Sequence, residues 1–309
     1  MLIIHPPMQL SVYRGRFAPS PTGPLHLGSL VTAVASYLEA RTHNGEWLIR
    51  IEDVDSTRVM PDSSRKILHA LESFGMNWDG EVVYQSQRHA SYQAALAELN
   101  KNGLIYPCAC SRREIADAAV MSIEGPVYPG RCRNGLSSNL AGRPHTLRVK
   151  TECSQIEFVD HLQGKVDQCV ESEIGDFVLR RADGIYTYQL AVVVDDAWQG
   201  MTHIVRGVDL LHSTPRQIYL QKLLGYKTPA YLHLPLVVNK QGEKLSKQTL
   251  AAPVDLTRPL PQLVATLRFL GQNPLDELVE GDITSFWQWA QANWQAERIP
   301  KGNRFINEP

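Results

Sequence analysis

Two short stretches of this 309-residue chain carry residue types suited to phosphate chemistry. The first, RFAPSPTGPLHLGSL at 16–30, contains three prolines, two glycines and one histidine, then runs straight into the apolar VTAVASYLEA. Gly28 at the start of a helix lets a ligand approach backbone N–H groups, where the helix dipole favours phosphate. His26, placed one turn before the helix, can donate to phosphate oxygens whose charge grows during attack at phosphorus. The second, GEKLSKQ at 242–248, follows the apolar LPLVV and sets Lys244 and Lys247 three apart in a polar loop. Two such point charges can close on a polyphosphate, with Lys247 on the departing group. Each loop alone reads more readily as an exposed turn. Together, in the first and last quarters of the chain, they are what a nucleotide site spanning both halves of one fold requires. A third constellation is Cys108 and Cys110 in CAC with Cys132 in YPGRC. Three thiolates suit zinc, which usually takes four ligands, and His145 is the chemically ordinary fourth; buried structural thiols are the alternative. Cys153 and Cys169 lie outside this cluster and read as ordinary residues.

The elements that must position these groups form an α/β pattern. YRGRFA reads as a strand after a loose leader over 1–13. GSLVTAVASYLEARTHNG follows as a helix with Leu30, Val34 and Leu38 on one face and Asn44-Gly45 as its stop. EWLIRIED returns as a parallel strand, because a crossover of this length leads to a parallel neighbour. Helical patterns follow, completing a first half over 14–107. An insert is expected over 108–175, basic at first and then acidic: seven Arg or Lys against three acids from Cys108 to Lys150, then seven acids against one lysine from Glu152 to Asp176. The α/β pattern resumes over 176–255. YTYQLAVVVDDAWQGMTHIVRG is expected as a core strand ending at Asp195-Asp196, and STPRQIYLQKLLG as a capped helix with Pro215 in its first turn. Residues 256–309 read as short helical patterns.

Composition bounds the class. The chain is 43% hydrophobic with net charge −1, so total charge announces no nucleic-acid partner, although the basic part of the insert could contact phosphates. No apolar run approaches membrane-spanning length and the first ten residues lack a signal-peptide pattern, making the cytoplasm the expected location and excluding a membrane partner. Five cysteines suit a reducing compartment better than a disulfide framework. A monomer is the expected state.

With those residues in view, the sequence resembles the glutamyl branch of the class I aminoacyl-tRNA synthetases. His26-Leu27-Gly28-Ser29 is similar to the HIGH motif and Lys244-Leu245-Ser246-Lys247-Gln248 to KMSKS. RIEDVDSTR, DFVLRRADGIYTYQLAVVVDD, HIVRGVDLLHSTPRQ and LHLPLVVN also appear in family order, over roughly residues 14 to 255. Ser29 departs from the second histidine of HIGH and Gln248 from the last serine of KMSKS. The resemblance implies a Rossmann-type catalytic domain with an inserted zinc-bearing, acceptor-binding-like subdomain and a short helical C-terminal region.

It also implies a reaction. The α-carboxylate of glutamate attacks the α-phosphorus of ATP, pyrophosphate leaves, and the glutamyl adenylate passes its acyl group to RNA, with Mg²⁺ on the phosphates. His26, Lys244 and Lys247 would be catalytic, and Pro19, Gly28, Ser29 and Ser246 would join them around ATP. Arg16, Ser20, Glu52, Tyr188 and Arg206 would bind glutamate, two cations for its carboxylates and Glu52 for its ammonium. Tyr128 would be the fourth ligand of a structural zinc beside Cys108, Cys110 and Cys132. The 61 residues after Gln248 are too few for the helical anticodon-binding region of a full glutamyl-tRNA synthetase. The chain therefore resembles the stand-alone cores of this branch, which activate glutamate without tRNA and attach it to the queuosine base in the anticodon loop of tRNA(Asp). Two alternatives stay open: an ordinary or truncated synthetase charging the tRNA 3′ end, and a non-catalytic RNA-binding zinc protein.

Overall fold

The computed structural model describes residues 12–122, 125–136, 142–239, 242 and 252–306. Strand β1 (Arg14–Phe17) leads through the Pro-Gly loop into helix α1 (Leu27–Thr42). Leu30, Val34 and Leu38 of α1 are wholly buried. The helix ends at His43, and Asn44 takes a left-handed φ of 51° that turns the chain into β2 (Glu46–Ile51), parallel to β1. Helix α2 (Ser63–Ser73) then carries the chain to β3 (Val83–Tyr84), parallel to β2, and α3 (His89–Lys101) follows.

The next segment is antiparallel. β4 (Ile105–Cys108) is followed by a short helix, α4 (Arg112–Ala116), and a hairpin, β5 (Val120–Ser122) with β6 (Gly125–Val127). β7 (Thr146–Val149) then pairs with β4, setting Cys108 opposite Thr146. A second hairpin, β8 (Gln155–Asp160) with β9 (Gly164–Cys169), comes next, and β10 (Val178–Arg180) returns to pair with β7.

Helix α5 (Tyr188–Trp198) corrects the strand expected there. Leu190 to Asp196 are buried without interruption, so the segment shows no apolar-polar period, and its eleven residues are too long for a typical strand. The strand follows it instead: β11 (His203–Gly207). Helix α6 (Thr214–Leu224) has Pro215 in its first turn and Gly225 (φ 69°) at its end, although Ser213 makes no side-chain cap bond. β12 (Ala230–Leu234) is parallel to β11, and a bridge from Tyr231 to Asp160 joins the β8–β9 hairpin to the same sheet.

The Thr202 N–H donates to the Arg14 carbonyl at 3.0 Å, which seats β11 against β1. The chain winds outward from β1 through β2 and β3 on one side, and from β11 to β12 on the other. The carboxyl ends of β1 and β11 therefore flank the crevice where the winding reverses, which is where open parallel sheets bind ligands. After β13 (Val237–Val238) come α7 (Pro259–Phe269), α8 (Ile283–Asn293) and β14 (Arg304–Phe305). The C-terminal region is thus not purely helical, since β14 pairs in parallel with β13. Helices α7 and α8 bury Leu263, Leu267, Phe286 and Trp287 in the core around α1, and Trp287 Nε1–H donates to the Phe74 carbonyl at 2.9 Å. No helix among the described residues is long and apolar enough to cross a membrane.

Candidate active site

A cavity of about 470 Å³ opens at the predicted crevice. Pro19, Ser20, His26, Gly28 and Ser29 line it from the first loop, and Gly207, Asp209, Pro235 and Val237 from the second half. His26 lies closer to α1 than a full turn: it is the N-cap itself, and its Nδ1 accepts from the Ser29 N–H at 3.3 Å. An N–H can only donate, so the neutral ring carries its hydrogen on Nε2, 3.0 Å from Ser29 Oγ. Ser29, where the sequence departs from HIGH, thus holds the His26 ring from backbone and side chain together. Lys244, Ser246 and Lys247 lie outside the described residues. The described segments flanking them both reach the cavity: Val237 of β13 lines it, and Pro253 forms a bridge with His26.

At the head of β1 and β2 sits a buried charge cluster that the sequence reading anticipated only in part. Arg16, 3% exposed, donates to Asp196 through Nε (3.1 Å) and Nη2 (3.4 Å). Arg50, fully buried, reaches Asp196 Oδ1 through Nη1 at 2.7 Å and Glu52 Oε1 through Nη2 at 3.2 Å. Two cations thus face two carboxyls in a site that excludes water. Burial is the largest influence on both acids. It raises the Glu52 carboxyl above its ordinary range although Arg50 and Arg16 oppose it. At Asp196 burial is more than offset by Arg16 and Arg50, which hold that carboxyl below its ordinary range. Asp196 is therefore the fixed anion of the cluster and Glu52 the tunable one.

Arg206, 4% exposed, completes the group. Its Nη1 points to the Tyr188 hydroxyl at 3.4 Å, and the Tyr188 ring sits within the field of Arg206, Glu52 and Arg16. Burial pushes the Tyr188 phenol up, so it remains protonated. The structure thus brings Arg16, Glu52, Tyr188 and Arg206 together, while Ser20 lines the adjoining cavity. Sequence reasoning missed Arg50 and Asp196. Their signal was present: Arg50 interrupts the apolar EWLIRIE, and Asp196 ends an apolar run, where an unpaired charge would be too costly to bury.

The Sγ atoms of Cys108, Cys110 and Cys132 lie within 4.8 Å of one another. The Tyr128 hydroxyl sits among them, 3.3 Å from Cys108 Sγ and 3.6 Å from Cys110 Sγ, and accepts from the Cys132 N–H at 2.9 Å. His145 is exposed and belongs to no such group among the described residues. Three sulfurs and one oxygen converging on a common point are compatible with a small thiophilic cation.

Residues 12–262 match the family model for the catalytic domain of class I tRNA synthetases (E and Q). The chain is 54% identical over 293 residues to the glutamyl-Q tRNA(Asp) synthetase of Dechloromonas aromatica, covering 94% of this chain and 97% of that one. It is 52% identical over 295 residues to the protein of the same name from Chromobacterium violaceum, covering 96% and 98%. Among solved structures, a glutamate tRNA ligase from Elizabethkingia meningosepticum, in complex with its amino acid, superposes with a TM-score of 0.78 at 26% identity, over 96% of this chain and 67% of that one. The cavity at the β1–β11 crevice and the charge cluster behind it are thus parts of a class I catalytic domain, and the chain belongs to the glutamyl-Q tRNA(Asp) synthetase family.

Proposed function

We propose that this enzyme activates glutamate with ATP, without tRNA, and transfers it to the queuosine base in the anticodon loop of tRNA(Asp). The observation that carries the reading is the convergence of Arg16, Glu52, Tyr188 and Arg206 beside a loop-and-helix cavity headed by His26. ATP, as its Mg²⁺ complex, occupies that cavity along Pro19, Gly28 and Ser29, where the α1 N-terminus favours phosphate. Glutamate lies deeper. Arg16 and Arg206 face its carboxylates, Ser20 adds a hydroxyl, and Glu52 holds its ammonium. With the amino acid fixed, its α-carboxylate oxygen attacks the α-phosphorus. His26, Lys244 and Lys247 stabilise charge on the phosphates, and Ser246 joins the same loop. No side chain forms a covalent bond in either step.

The cysteine cluster supports a structural role apart from the chemistry. Cys108, Cys110, Tyr128 and Cys132 would hold a zinc ion, which contributes folding free energy by tying β4 to the segment after β6.

Pyrophosphate exchange tests activation. The purified protein should exchange labelled pyrophosphate into ATP with glutamate and no RNA, and far less with glutamine, which lacks the second charge, or aspartate, which is a methylene short. Equal exchange with glutamine would overturn the two-cation pocket.

A further inference from the structure

Arg206 is buried, yet it meets no carboxylate among the described residues. Neutral groups orient its guanidinium instead. Nε donates to His233 Nε2 at 3.0 Å and Nη2 to Thr214 Oγ1 at 2.8 Å, while Nη1 faces the Tyr188 hydroxyl. Of the five guanidinium N–H donors these contacts use three, which leaves one on each Nη for a ligand carboxylate. That arrangement requires one form of His233. Because Nε–H of arginine can only donate, His233 Nε2 must carry a lone pair and Nδ1 the hydrogen. Asp160 enforces this: its Oδ2 lies 2.6 Å from Nδ1, and both side chains are wholly buried. The carboxylate is itself fixed by the backbone N–H groups of His233 (3.1 Å), Leu162 (3.0 Å) and Gln163 (2.8 Å). Burial outweighs the Asp160 contact and lowers the affinity of the imidazole for a proton, so His233 stays neutral.

We propose that Asp160 and His233 are positioning residues for glutamate, locking the imidazole tautomer that accepts from Arg206 and so aiming the guanidinium at a substrate carboxylate. The proposal rests on the glutamate pocket described above and deepens it. Neither residue touches substrate; both act through Arg206, as second-layer carboxylate–imidazole pairs orient ligands elsewhere.

The test is tRNA-free pyrophosphate exchange with KM measured separately for glutamate and ATP, beside thermal melts of each variant. Asp160→Asn can present its amide N–H to Nδ1, which moves the imidazole hydrogen to Nε2 and sets it against Arg206. His233→Leu removes the acceptor, whereas His233→Gln keeps a carbonyl oxygen within reach of it. We expect Asp160→Asn and His233→Leu to raise the glutamate KM about tenfold or more with the ATP KM within about twofold, and His233→Gln to recover most of the loss. An unchanged glutamate KM in Asp160→Asn and His233→Leu would overturn the proposal. So would equal loss in His233→Gln and His233→Leu with both KM values raised, the mark of a purely structural role. Wild-type protein is the discriminating control: absence of glutamate-dependent exchange there would refute the pocket itself, whereas robust wild-type exchange with indifferent variants refutes only the positioning role.

Discussion

Glu52→Gln should make this enzyme more stable and nearly inactive at once. Burial raises the Glu52 carboxyl above its unfolded value, so the folded state binds its proton more tightly than the unfolded state does. A raised carboxyl favours folding fully below its unfolded pKa, and that contribution is lost as pH rises through the folded value. Above the folded value the ionised side chain is therefore a cost to stability, and the uncharged glutamine amide relieves it. Arg50 is not stranded by the change, because it keeps Asp196 at 2.7 Å and Gln199 Oε1 at 2.8 Å. Activity moves the other way. An amide cannot neutralise an ammonium in a buried pocket, and breaking one buried charge pair costs about 3–5 kcal/mol. At about 1.36 kcal/mol per decade, that predicts a fall of about 10²- to 10⁴-fold in kcat/KM for glutamate. Thermal melts at pH 5 and 7 with exchange kinetics read both effects. The melting gain should be larger at pH 7 than at pH 5, and wild-type exchange should decline on acidification as Glu52 is protonated. Exchange within tenfold of wild type would refute Glu52 as the ammonium's partner.

Two other outcomes follow from named contacts. Zinc measured by elemental analysis should be near one per chain and fall on replacing Cys108, Cys110 or Cys132 by serine; retention of zinc in Tyr128→Phe with loss in His145→Ala would reassign the fourth ligand. At Gly75, held at φ 71°, an added Cβ would lie 2.3 Å from Ile283 Cγ2 and 2.9 Å from Trp287 Nε1. Gly75→Ala should therefore destabilise by about 1–3 kcal/mol through overpacking, and an unchanged melt would contradict the packing of α8 on α2.

What the sequence made legible was what local rules control. A strand, a Pro-Gly loop and a helix with Leu30, Val34 and Leu38 on its buried face announce β1 and α1 without tertiary information. The residues around the cavity followed because Pro19, His26 and Gly28 sit within that unit. Helix α5 was misread because burial on every side erases the period that distinguishes helix from strand. The partners that tune the site were harder still. Asp160, Arg50, Asp196 and His233 come from four separate elements, and their pairing exists only once β12 lies between β8 and β11 and α5 crosses the head of β1. A charged or polar residue inside an apolar run, as in EWLIRIE and LHLPL, marks that something buried must meet it but not what.

The acceptor nucleotide decides what this enzyme does, and one labelling experiment identifies it. Bulk tRNA is incubated with the enzyme, ATP and labelled glutamate, digested to nucleosides under conditions that preserve the ester, and the labelled product is identified. Glutamate is expected on queuosine from tRNA(Asp), undiminished when the 3′ CCA end has first been removed, and absent from tRNA that lacks queuosine. Glutamate on the terminal adenosine of glutamate tRNA, with none in an anticodon loop, would contradict that expectation.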